Sequence, residues 1–188
     1  DRSVSRGLGD VYKRQVPEGI AHFLEHKLFE NEDCDVFDLY AKTGANANAF
    51  TSFDKTCYFF SCSDNFKASL EILLSFVQSP YFTPESVAKE QGIIGQEIRM
   101  CDDDPGWRVF FNMLCGLYQK HPVRIDIAGT IESIAQITDD LLYRCYRTFY
   151  NLHNMVLAVA GNCTVDEVLE VACLLYTSDA ADDSLRVD

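Results

Sequence analysis

Apolar residues recur at helical spacing near the start of the chain. Ile20, Phe23 and Leu24 share one face of a predicted helix that follows a turn at residues 16–19. Residues 36–43 predict a second helix, and we expect it to end before Gly44 because glycine commonly follows the last helical residue.

The pattern then changes to that of strands. Residues 46–52 and 55–62 alternate or carry β-branched and aromatic side chains, so the sequence predicts a hairpin there. Residues 65–78 return to helical spacing, with Leu70 and Val77 among the apolar positions, and predict a helix packed on a core.

The remainder is mainly helical in pattern. Thr83 and Pro84 are typical of a helix start, and this long helix is expected to break at residues 101–105. Gly92 and Gly95 weaken it, so we expect another backbone to approach closely there. Further helices are predicted at residues 106–117, 130–137 and 138–150 and from a capping box at 164–167, with a buried strand at 155–161.

Helices and hairpins mixed without strict βαβ alternation indicate the α+β class. The expected architecture is a two-layer α/β sandwich with a mostly antiparallel sheet and helices on one face.

The charge and composition of the chain limit the classes of partner and the location that we expect for it. The 188 residues carry 16 Lys+Arg against 29 Asp+Glu, a net charge of −13, with no basic patch, so nucleic acid is not an expected partner. No apolar run is long enough to span a membrane. All cysteines but Cys173 lie in residues 16–172, an odd number with no C-x-x-C pair, which favours reduced thiols and a cytoplasmic location.

The motif with the clearest chemistry is His22-x-x-Glu25-His26. Histidines four apart project from one face of a helix, and two imidazoles plus one further ligand leave a catalytic zinc open to water. Glu25 then lies beside that water, as the general base of an H-x-x-E-H site does.

The third ligand is expected on another element. Glu90 and Glu97 are seven apart and point the same way from the long helix, so one can bind the metal and the other can support it. A solvated acidic helix face is the commoner explanation for such a pair taken alone.

Together these residues resemble the insulinase/pitrilysin family of zinc peptidases, most closely its bacterial YfmH-like members. Other segments agree in order, namely residues 44–51, 121–122, 129–134 and 149–155. The resemblance implies one Zn²⁺ per chain held by His22, His26 and Glu97, with Glu25 as general base and Glu90 as a supporting acid.

The resemblance also implies a peptide substrate lying along the first strand of the hairpin. Asn48, Ala49, Phe50 and Thr51 are the residues expected to bind it. The family encloses its substrate with a C-terminal half or a paralogous subunit, which this chain would lack, so the isolated chain could be inactive.

Two alternatives remain open at this stage. One is a non-catalytic assembly or scaffold partner of an active paralogue, although such members have usually lost motif residues. The other is a metal-dependent lyase sharing the fold, of the S-ribosylhomocysteine lyase type, whose third ligand is a cysteine.

Both ends of the chain look foreign to the domain. One DNA sequence can encode residues 173–178, and its reverse complement in a shifted frame can encode residues 10–15. We therefore expect residues 1–15 and 173–188 to be translated sequencing adapter, and residues 16–172 to be part of an N-terminal catalytic domain.

Overall fold

The structure is a computed structural model that describes residues 16–173. In chain order its regular elements are α1 Ile20–Leu28, α2 Val36–Thr43, β1 Asn46–Thr51, β2 Thr56–Ser61, α3 Phe66–Gln78, α4 Pro84–Asp103, α5 Pro105–Leu117, α6 Ile131–Ile134 and α7 Asp139–Phe149. Short 3₁₀ turns lie at Pro122–Arg124 and Leu152–Asn154, and residues 165–173 are helical.

The α+β class expected from the sequence is confirmed. The adapter interpretation of the ends falls almost wholly outside the described residues and stays a prediction.

Local sequence signals place most element boundaries. Gly44 ends α2 in the left-handed conformation, with φ of 74° and its N–H donating to the Tyr40 carbonyl. Thr83 caps α4 and exchanges hydrogen bonds with Ser86, and Asp104 both follows α4 and caps α5 through the Trp107 N–H. The predicted helix starts and the predicted break are therefore confirmed.

The chain divides into two compact units. Among the described residues, one contains residues 16–27, Phe50–Cys57 and Phe82–Arg147, and the other contains Leu28–Ala49, Tyr58–Tyr81 and residues 148–173. In the first unit, the apolar faces of α1 and α4 supply fully buried side chains such as Phe23 and Ile94.

An aromatic cluster fills the second unit. The Phe29 ring centroid lies 4.6 Å from that of Phe37 and 5.1 Å from that of Phe76. The buried Tyr40 hydroxyl donates to the Ser69 carbonyl, which joins α2 to α3.

The predicted hairpin is confirmed, since β1 and β2 pair as the two strands of one sheet. The predicted buried strand at residues 155–161 is wrong. That segment is irregular, with Val156 94% exposed and Leu157 43% exposed. An apolar run favours a strand only where another strand supplies hydrogen bonds. In the described part of the chain β1 and β2 form the sheet, and the pairing outside it is a single bridge between Glu30 and Asp35.

Two helical expectations also need correction. The helix expected at residues 130–137 is one turn, because Gln136 and Ile137 donate to carbonyls three residues back and Thr138 then restarts the helix. No backbone approaches Gly92, which has nothing within 4 Å of an added Cβ. A Cβ added to Gly95 would meet only the Ile131 side chain, at 3.6 Å.

Candidate metal centre

Helix α1 presents two imidazoles side by side. Its buried face, which includes Phe23 and Leu24, fixes the rotation of the helix about its axis. His22 and His26 therefore share the adjacent face, with ring centroids 4.6 Å apart. This is the arrangement that the i, i+4 spacing predicted.

Helix α4 brings a carboxylate to the same point. Glu97 Oε2 lies 3.6 Å from His22 Nε2 and 3.5 Å from His26 Nε2. These three side chains offer ligand atoms that all lie within 4.8 Å of one another, and they form the group able to hold a metal among residues 16–173. The structure thus brings together the three residues that the sequence named as ligands.

The donor atoms fit a zinc ion. Ligands at 2.0–2.2 Å in a tetrahedron stand about 3.4 Å from one another, close to the two observed separations. Glu97 Oε2 is buried without a hydrogen-bond partner, which is costly for a carboxylate oxygen unless a cation binds there. The chemistry of two imidazoles and one carboxylate is also that of a catalytic zinc site.

Glu90 fixes the orientation of one imidazole. Its Oε1 accepts from His26 Nδ1 at 2.9 Å, and the Glu90 side chain is buried. Because Nδ1 carries the proton in this contact, Nε2 is the nitrogen left to face Glu97. Glu90 and Glu97 therefore make different contacts with the histidines although both extend from the same helix.

Glu25 lies between the two histidines in sequence and is buried. Its Oε2 accepts a hydrogen bond from the Thr51 hydroxyl at 2.5 Å, and the Thr56 hydroxyl lies 3.2 Å from that of Thr51. The end of β1 thus holds one carboxylate oxygen of Glu25. The sequence named Thr51 as a substrate-binding residue and did not predict this contact.

The two histidines differ in proton affinity. Burial, with the neighbouring His26, lowers the pKa of His22 despite the carboxylates of Glu97, Glu25 and Asp126. Burial also acts to lower the pKa of His26, but the Glu90 hydrogen bond and the nearby carboxylates outweigh it and raise the pKa overall. Both rings must be unprotonated at the nitrogen that binds a metal.

The other predicted substrate-binding residues lie along β1. Asn48 is exposed, and its Oδ1 accepts from the Ala49 N–H at 2.8 Å, while Phe50 is 45% exposed.

His121 caps the turn at Pro122–Arg124 and is outside the metal-binding group.

Asp126 was not singled out from the sequence. Its Oδ2 accepts from Trp107 Nε1 at 2.8 Å, its Oδ1 accepts from the Ala128 N–H at 3.0 Å, and its charge acts to raise the pKa of His22. A single Asp in a loop belongs to no periodic pattern, so its electrostatic effect on His22 could be found only from the structure.

Comparison with known proteins agrees with this geometry. The family model described as insulinase, peptidase family M16, matches residues 6–131, and that of the peptidase M16 inactive domain matches residues 136–177. The chain belongs to the M16 insulinase family. The family predicted from the sequence motifs is therefore confirmed.

Relatives in this family are named zinc proteases. YmfH of Bacillus subtilis is 61% identical over 154 residues, which are 82% of this chain and 36% of YmfH. A zinc protease of Rickettsia felis is 30% identical over 176 residues, or 91% of this chain and 43% of that protein. The chain thus spans less than half the length of these M16 relatives.

Solved structures show the same fold. An M16-like peptidase from Alicyclobacillus acidocaldarius superposes with a TM-score of 0.80 at 50% identity, covering 84% of this chain and 37% of that one. A Helicobacter pylori protease gives 0.76 at 25% identity, covering 82% and 39%. Within residues 16–173, no helix is long and apolar enough to cross a membrane.

Proposed function

We propose that this chain carries the zinc site of an M16 metallopeptidase that hydrolyses peptide bonds. The observation that carries the proposal is the convergence of His22 Nε2, His26 Nε2 and Glu97 Oε2, with Glu97 Oε2 buried and unpartnered. The names of the M16 relatives support zinc as the metal.

The bound ion would act as a Lewis acid, lowering the pKa of water and polarising the scissile carbonyl. Glu25 takes the proton from the attacking water and then gives it to the leaving amine nitrogen. The Thr51 hydroxyl donates to Glu25 Oε2 at 2.5 Å and so restrains the orientation of this carboxylate. Glu90 keeps the proton of His26 on Nδ1.

Substrate binding is proposed for β1. Its residues Asn48, Ala49, Phe50 and Thr51 lead directly to the contact between Thr51 and Glu25, so an extended peptide alongside this strand would place a carbonyl near the base. Extended peptides commonly bind by adding to a strand through backbone hydrogen bonds.

The parent protein is proposed to need more than this chain. The chain covers 36% of YmfH and 37% of the Alicyclobacillus structure, which supports a further half or a paralogous subunit that encloses the peptide. The cytoplasmic location expected from the cysteines stays a prediction.

The test compares wild type with Glu25→Gln, measuring zinc binding by this chain and hydrolysis of an unfolded peptide by the full-length parent protein. The variant should bind zinc as the wild type does and should lose hydrolysis, because an amide cannot accept the proton. Continued hydrolysis by Glu25→Gln would exclude Glu25 as the base. A folded wild-type chain that binds no zinc would exclude the metal site.

A further inference from the structure

The two helices that supply the ligands come from distant parts of the chain, and their spacing must be held closely. His22 and His26 lie on α1, while Glu97 lies on α4, and the donor atoms are 3.5–3.6 Å apart. Residues 129–137, here called the linking segment, contact α4 and the turn at Glu18 and Gly19 that leads into α1.

The linking segment meets the start of α1 through backbone atoms. Gly129 and Gly19 both have positive φ, 76° and 89°. A Cβ on Gly129 would lie 2.5 Å from the Glu18 carbonyl oxygen, and one on Gly19 would lie 2.4 Å from that of Ala128. Such close backbone approach is possible only with glycine on both sides.

Ser133 adds a hydrogen bond at the same place. Its hydroxyl donates to the Glu18 carbonyl at 2.8 Å, with the Thr130 carbonyl as the other acceptor at 3.0 Å. The same oxygen accepts from the Thr130 N–H at 2.9 Å, which completes the cap of α6. One side chain thus holds the linking segment in shape and ties it to the residue before Gly19.

The linking segment also meets α4. Gln91 Nε2 donates to the Ile134 carbonyl at 3.2 Å and to the Ile137 carbonyl at 3.1 Å. Both isoleucine side chains are buried, and Ile131 Cδ1 would lie 3.6 Å from a Cβ added to Gly95. Gln91 follows Glu90 directly and lies less than two turns before Glu97.

We propose that residues 129–137 set the position of α1 against α4, and that Ser133 and Gln91 are positioning residues for the metal site. The inference rests on the proposed function in taking zinc as the ligand. Neither residue is a ligand or touches the proposed base. Their effect passes through the backbone of the linking segment to the histidines on one side and to Glu97 on the other.

The first test measures Zn²⁺ affinity by competition with a chromogenic chelator. Ser133→Ala and Gln91→Leu should each weaken Zn²⁺ binding by about tenfold. This is the lower end of the loss of about 10–100-fold in metal affinity that follows removal of residues that orient the ligands. Ser133→Thr keeps the hydroxyl and should restore binding. Because the two residues act through the same segment, the double variant should lose about as much as either single variant, whereas independent effects would multiply.

Two matched controls separate positioning from general destabilisation. Gln136→Ala lies in the same segment, but its side chain donates only to the Glu132 carbonyl of its own turn, so zinc affinity should stay unchanged. Leu70→Ala removes a buried side chain from α3 in the other unit, and should lower the thermal midpoint without altering zinc affinity.

Hydrogen exchange of the metal-free chain gives a second readout that does not need zinc. Amides of α1 should exchange faster in Ser133→Ala and return to the wild-type rate in Ser133→Thr. If the wild-type chain binds no zinc, the proposed function fails. Hydrogen exchange of the α1 amides still tests whether Ser133 positions α1. The inference would be overturned if the α1 amides of Ser133→Ala exchanged at the wild-type rate. It would also be overturned if both single variants kept the wild-type zinc affinity, or if the losses of zinc affinity multiplied in the double variant.

Discussion

Replacing Glu90 removes the contact that orients His26. The carboxylate is 8% exposed and its Oε1 lies 2.9 Å from His26 Nδ1. In Glu90→Ala this nitrogen loses its partner, and the imidazole is free to rotate away from Glu97. Loss of such a partner weakens metal affinity by about 10–100-fold, or about 1.4–2.7 kcal/mol.

Glu90→Gln should lie at the lower end of this range, at about tenfold, because the amide oxygen still accepts from Nδ1 but without a negative charge. The assay is competition for Zn²⁺ with a chromogenic chelator at fixed pH and salt. Glu85→Ala is the matched control, since Glu85 lies exposed in the first turn of the same helix. Unchanged zinc affinity in Glu90→Ala would refute the orienting role.

Three further predictions follow from the described residues. Gly92→Ala should raise the free energy of unfolding by about 0.5–1 kcal/mol in a urea titration, because the exposed helical position has open space for a Cβ, and a loss of stability would contradict this. In the metal-free chain, NMR titration should show His26 losing its proton above the ordinary pKa of 6.5 and His22 losing its proton below it, and the reverse order would contradict the assignment of the Glu90 contact. Cys145 should resist iodoacetamide at pH 8 while the exposed Cys173 reacts, because burial raises the pKa of the Cys145 thiol, and equal alkylation in peptide mass spectra would be the opposite result.

The sequence predicted those features whose physical cause is local. Gly44 ends α2 because glycine adopts positive φ without strain, and Thr83 begins α4 because its hydroxyl caps a backbone N–H. The juxtaposition of His22 and His26, the two proposed metal ligands, was likewise predictable from their spacing within a single helix.

Features that depend on distant residues were not predictable in this way. Ser133 and Glu18 are 115 positions apart, and no periodic pattern connects them. The spacing of seven residues left open which of Glu90 and Glu97 binds the metal, because it only shows that both point the same way, and the family resemblance alone assigned Glu97 as the ligand. The strand expected at residues 155–161 failed for the same reason, since apolar character does not specify a pairing partner.

The hydrogen bond between Thr51 and Glu25 shows a third limit. Thr51 was named through the family resemblance as a residue for the substrate, while its hydroxyl contacts the proposed base at 2.5 Å. Strand pattern indicates that a side chain faces one side of a sheet, but it does not say which residue of another element lies there.

The central claim is that α1 and α4 together hold one zinc ion, and elemental analysis of the purified chain tests it most directly. Wild type and Glu85→Ala should each retain about one zinc per chain after dialysis, and Glu97→Ala should lose it, with circular dichroism confirming that all three are folded. A folded wild-type chain without zinc, or a Glu97→Ala chain that retains it fully, would contradict the account.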